Sequence, residues 1–138
     1  MDSVSERNKR KVQLFVDAVL NEGRLELIDE LVAADYLGHL PCADTVVTGP
    51  AGVRELVAGH RRAHPGVHVK IEDQIAEDDR VVTHWQATIA APGAPGDGAP
   101  TARISCCTGI SIIRFLAGKQ IDSRTACTNL TANRGAGA

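Results

Sequence analysis

Val12, Phe15, Val16, Val19 and Leu20 recur at the i, i+3, i+4, i+7, i+8 spacing of one helix face, which predicts an amphipathic helix over residues 4–21. Ser3 or Ser5 can cap its start, and Asn21-Glu22-Gly23 can stop it. "RLELIDELVA" predicts a second, short helix with Leu25, Ile28, Leu31 and Val32 on one side. A third begins after "TGP", with Pro50 in its first turn and Val53, Leu56, Val57, His60 and His64 as its apolar-side stripe; Pro65-Gly66 ends it. From Val67 the period falls to two. "VHVKIEDQIAEDD", "RVVTHWQATIAA", "TARISCCTGISIIRF" and "KQIDSRTACT" predict a run of long antiparallel strands, the last two joined by a tight turn at Ala117-Gly118-Lys119. "APGAPGDGAP", residues 91–100, can be neither helix nor strand and reads as a loop, either a lid or a plain connection. Helices first and a meander afterwards predict an α+β architecture: a curved antiparallel sheet with N-terminal helices packed on its concave face.

At 138 residues the chain suits a single domain over 1–138, with an ordered core about 6–130. Fifteen basic against seventeen acidic residues, a net of -2, exclude the basic face that nucleic acid requires. The cluster "RNKRK" lies at the head of an amphipathic helix and reads as a solvated face. No apolar stretch approaches the roughly 20 residues of a membrane span. The polar N-terminus lacks a secretory core, so the expected location is cytoplasmic, with no membrane partner. Cys42, Cys106, Cys107 and Cys127 contain no CxxC pair and are expected to be thiols acting as small buried hydrophobes, with no metal site. Phe15, Tyr36, Trp85 and Phe115 are the whole aromatic set. So few aromatics imply either an aliphatic core or an unfilled cavity within it.

Strand alternation sorts the candidate chemistry. Thr125 shares a face with Ser123 and Cys127, while Asp122 and Arg124 take the other. Ser111, Cys107, Ser105 and Arg103 share a face on the preceding strand. Trp85 alternates with Thr83 and Ala87, and His84 points the opposite way. Arg103, near the loop, is either a contact for a carbonyl or phenolate oxygen or a surface arginine. His60 sits on a helix stripe where a leucine-like residue is expected; it is either a satisfied core histidine or a proton donor and acceptor near neutral pH. No G-x-S-x-G elbow, G-x-G-x-x-G or P-loop occurs, which removes serine hydrolases and nucleotide-binding enzymes.

The ordered motifs "GPAGVRE", "IAEDDRVVTHW" and "GISIIRFLAGK", within about residues 6–130, resemble the SnoaL-like polyketide cyclases of the NTF2-like superfamily. The resemblance implies a cone-shaped α+β barrel around a hydrophobic cavity, and aldol ring closure of an aromatic polyketide by an acid and a histidine without a cofactor. Laid on that pattern, Ser111 falls at the histidine position and Thr125 at the acid position. A carboxylate raised in pKa by an apolar cavity could serve as a base; hydroxyls cannot do so unaided. This departure resembles the branch linked to hydroxylation of anthracycline-type quinones. The implied function is therefore a cofactor-independent hydroxylase in antibiotic biosynthesis, with an NADPH-dependent reductase as a possible partner. The alternatives are an aldol cyclase with a displaced base and a non-catalytic small-molecule binder. The implied catalytic residues are His60, His39 and Arg103. Phe15, Tyr36, Trp85, Ser111 and Thr125 are expected to bind a polycyclic aromatic substrate, with Trp85 stacking on its rings. A sheet carrying "ISIIRF" on its outer side also implies a homodimer.

Overall fold

In the computed structural model the N-terminal helix and the last two strands fall where the periodicity predicts them. The structure describes residues 3–40, 45–90 and 103–129. Helix α1 (Val4–Leu14) starts at Ser3, whose hydroxyl accepts the Glu6 N–H at 3.1 Å. It runs directly into a π-helical segment, Phe15–Asn21. The Asn21 amide ties that end to the sheet, accepting from Val69 N and donating to Val69 O, each at 2.8 Å. A 3-10 turn (Leu25–Leu27) and α2 (Ile28–Leu31) follow. α3 spans Gly49–Ala63 with Pro50 in its first turn, as expected.

Six strands form one sheet in the order β2-β1-β6-β5-β4-β3: β1 (Val32–Leu40), β2 (Thr45–Thr48), β3 (His68–Glu77), β4 (Arg80–Ala90), β5 (Arg103–Leu116) and β6 (Lys119–Asn129). Two of them correct the sequence reading. β1 and β2 occupy residues where no strand is predicted, and β1 runs parallel to β6, so the sheet is mixed rather than wholly antiparallel. Asp35 and Gly38 interrupt the pattern of β1, and the Thr-Val-Val-Thr run of β2 is only four residues long, so neither carries enough alternation to be seen alone. The β5–β6 hairpin turns at Ala117 and Gly118, with φ of 52° and 82°. That pair of left-handed residues is what a two-residue turn needs to match the strand twist.

The helices cover one face of the sheet. α1 and the π segment lie on β3 and β4, and α3 lies on β1 and β2. One buried cluster joins Val19, Ile28, Leu31, Val32, Tyr36, Val47, Val53 and Val57; Phe15 packs against it. A second joins Val12, Val16, Val81, Ile113 and Phe115. The expected aliphatic core is present. Its aromatic members are Tyr36, Phe115 and the half-buried Phe15.

Two expectations about individual residues are corrected. Cys127 is disulfide-bonded rather than a thiol; its sequence spacing gave no hint, because disulfide partners are neighbours in space. Cys107 keeps its thiol, which donates to Thr108 O at 3.9 Å. Ser105 does not share the face of Ser111 and Cys107. A register shift between Ala87 and Thr88 pairs Ser105 with Thr88, and its hydroxyl accepts from the Gln86 amide. One extra residue in a strand reverses every side chain beyond it. The 91–100 loop and Cys42 lie outside the described residues.

Candidate functional site

The helix-facing side of the sheet changes character along its strands. Near the β4 start and the β5 end it is apolar: Val81, Ile113 and Phe115 are buried. Four residues further along β4, roughly 13 Å at ~3.4 Å per residue, stands Trp85, opposite Gly109. Here the face is built from an indole and hydroxyls. Trp85 Nε1–H donates to Ser111 Oγ at 3.1 Å, and Ser111 Oγ meets Thr125 Oγ1 at 2.9 Å. Having accepted the indole N–H hydrogen bond, Ser111 still has its own hydroxyl hydrogen available to donate to Thr125. Thr83, 2% exposed, continues the row and accepts from Gln74 Nε2 at 3.4 Å.

Gly109 is the residue that lets the indole lie there. A Cβ at this position would stand 2.4 Å from Trp85 Cζ2 and 2.9 Å from Ala126 O. Glycine inside a strand marks such a close approach.

β6 brings three inner-face groups to the same wall. Ser123 is buried and hydrogen-bonds the Tyr36 hydroxyl; Thr125 meets Ser111; Cys127 carries the disulfide. Burial raises the Tyr36 pKa; the Ser123 hydrogen bond opposes this and the nearby Asp122 charge reinforces it. Tyr36 therefore stays a neutral phenol that can donate a proton in a hydrogen bond.

The predicted site residues divide into groups. Trp85, Ser111 and Thr125 are brought together by direct hydrogen bonds. Phe15 and Tyr36 belong to the adjoining core. His39 pairs in register with Arg124 on the opposite side of β1 from Tyr36 and Gly38, and so points to the outer face of the sheet. His60 is exposed near the end of α3, not buried in the apolar stripe, because that stripe closes with Val57. Partial desolvation, then the neighbouring His64, lowers its pKa. Arg103 pairs through its backbone with Ala90, and its side chain lies outside the described residues.

Sequence reasoning passed over Gln74, and it placed Ser123 on the inner face without a role. Gln74 reaches Thr83, and Ser123 engages Tyr36. The i, i+2 row on β6 was the available signal for Ser123. Gln74 carried none. Among the described residues no three or more His, Cys, Asp or Glu side chains converge as a metal site.

A mixed, curved sheet with helices over one face and a polar row on that face defines an NTF2-like α+β domain. The model of the SnoaL-like polyketide cyclase family matches residues 10–134, so the chain belongs to that family. Solved structures agree on the fold. A candidate SnoaL-like cyclase from Jannaschia sp. CCS1 superposes with a TM-score of 0.75 at 20% identity, covering 99% of this chain and 94% of that one. Wild-type IdmH, a candidate polyketide cyclase from Streptomyces antibioticus, gives 0.75 at 20%, covering 95% and 99%. AclR, a candidate hydroxylase from Streptomyces galilaeus, gives 0.71 at 23%, covering 97% and 98%. No curated protein matches in sequence. Among the described residues no helix is long and apolar enough to cross a membrane.

Proposed function

We propose that this protein is a tailoring enzyme of aromatic polyketide biosynthesis that hydroxylates a polycyclic quinone-type substrate seated against Trp85, Ser111 and Thr125. The observation that carries this reading is the 2.9 Å bond between Ser111 and Thr125, two hydroxyls where the family resemblance expects a histidine and an acid. Neither takes a carbon-bound proton at neutral pH, yet both can hold a carbonyl or phenolate oxygen. The Trp85 indole beside them offers a flat apolar surface to fused rings. The likeness to AclR points the same way.

The chemistry closes without a bound cofactor. A hydroquinone plus dioxygen gives a hydroxyquinone plus water, the hydroquinone and the attacked C–H bond each giving up one electron pair. A substrate that arrives as the quinone must first gain an electron pair and two protons, which an NADPH-dependent reductase partner supplies.

Mass spectrometry tests this. The protein is incubated under heavy-oxygen gas with an anthracyclinone-type quinone, with and without NADPH and a reductase. The expected product is one oxygen heavier and carries the label. An isomer of unchanged mass from an open-ring precursor makes the protein a cyclase instead. Binding without turnover of either substrate makes it a carrier.

The same proposal includes a homodimer. Ile75, Ile110 and Ile112 lie on the outer face of the sheet, 66%, 49% and 44% exposed, with Ile75, Val82 and Ile112 in one cross-strand row. Arg114, Asp122 and Arg124 border them. An apolar patch with a charged rim is the composition of an interface. Light scattering at micromolar concentration is expected to give twice the chain mass, falling to one chain in Ile112→Arg. A wild-type monomer overturns the assignment.

A further inference from the structure

We propose that the end of α3 carries a second, separate site: a divalent transition-metal ion held by the imidazoles of His60 and His64. His60 lies in the last turn of α3 and His64, four positions on, is the residue that caps it, with φ -132° and ψ 70°. Here the two rings stand with centroids 5.8 Å apart and planes tilted by 42°. An ion about 2.1 Å from one nitrogen of each ring holds the centroids roughly 5 Å apart, so a small side-chain rotation closes the pair on it. The backbone is already fixed for this, since His64 N–H donates to His60 O at 2.9 Å and closes the last turn.

The C-terminal end of a helix carries a partial negative charge. Two guanidiniums border the pair: Arg61, whose Nη1 donates to Leu20 O at 2.9 Å and Asn21 O at 2.8 Å, and Arg62, which is exposed so that solvent screens its charge. His64 also lines a cavity of about 300 Å³ with Arg61, Arg62, Pro65, Gly66 and Val67. That cavity gives the His64 side of the pair room for the waters or small anion that complete the coordination shell. Both imidazoles are exposed, so the ion enters from solvent. Two neutral imidazoles favour copper(II), nickel(II) and zinc(II) over magnesium or calcium. A bound ion bridges the last turn of α3 and stiffens its junction with β3.

The test is calorimetric titration of untagged full-length protein with copper(II), nickel(II) and zinc(II) chlorides. One ion per chain is expected at micromolar concentration, with copper tightest. His60→Ala and His64→Ala each weaken binding tenfold or more, while His68→Ala and Cys107→Ser leave it unchanged. The thermal midpoint of wild type rises with nickel, and that of His64→Ala does not. Binding that survives the His60→Ala/His64→Ala double variant, or no binding below millimolar, overturns the site. Turnover is not the readout, so this result is independent of the proposed hydroxylation.

Discussion

Gly109→Val is expected to lose stability and the indole position together. The Cβ alone would stand 2.4 Å from Trp85 Cζ2, and a rigid ring on one side with the Ala126 carbonyl at 2.9 Å on the other leaves no soft neighbour to yield. Overpacking of this kind costs roughly 1–3 kcal/mol. Gly109→Ala recovers part of that through the reduced freedom of the unfolded chain, worth about 0.4–1 kcal/mol, so the clash still wins but by less. Gly59→Ala should behave oppositely. Its position is inside α3, the nearest side-chain atom to a new Cβ is Arg62 Nη2 at 4.0 Å, and a helix interior gains roughly 0.5–1 kcal/mol from the exchange. Trp85 is the one tryptophan, so its emission reports on this wall alone. Urea unfolding followed at that emission should place Gly59→Ala above wild type, Gly109→Ala below it and Gly109→Val lowest, with the native emission red-shifted only in the Gly109 variants. Equal midpoints and unshifted spectra for Gly109→Val would show that the strand can move away, and that the indole is not pinned.

The sequence legibility of this fold follows from how strongly each segment depends on itself. α1 with its π extension, α3, and strands β3 to β6 carry their own period and caps, and they appear where the pattern places them. β1 and β2 do not. Val32 and Tyr36 are buried because the helices and β6 cover them, not because a run of alternating residues demands it. The inner polar row was legible by simple alternation on β6 and on β4, since neither strand slips between those residues. On β5 the same alternation failed at Ser105, where the shift at Ala87 and Thr88 reverses the face. His60 shows the matching limit on a helix. A period predicts which side a residue takes but not how far along the helix the sheet continues, and Val57 is the last buried member of the stripe.

Ser111→Ala is the substitution that separates a wall from a working site. It strands two groups at once, the Trp85 N–H and the Thr125 hydroxyl. A polar group left without its partner costs about 1–3 kcal/mol when fully buried. Ser111 and Thr125 are only half-buried, so solvent reaches them and the lower end is expected. Thr125→Val strands one partner and should cost less. In the double variant the Ser111–Thr125 term is counted once, giving a coupling on the order of 0.5–1 kcal/mol in a double-mutant cycle. Function should respond more than stability. If the hydroxyl row holds a substrate oxygen, Ser111→Ala lowers kcat/KM at least about tenfold, roughly 1.4 kcal/mol, beyond what its fall in stability explains. Ser111→Thr keeps the hydroxyl and should recover most of that loss. A purely structural row gives the opposite pattern: both variants lose stability according to how they pack, and turnover per folded molecule stays at the wild-type value. The cycle of folding energies and the cycle of kcat/KM values then disagree only if substrate joins the row, and that disagreement is the signature the Trp85, Ser111 and Thr125 geometry predicts.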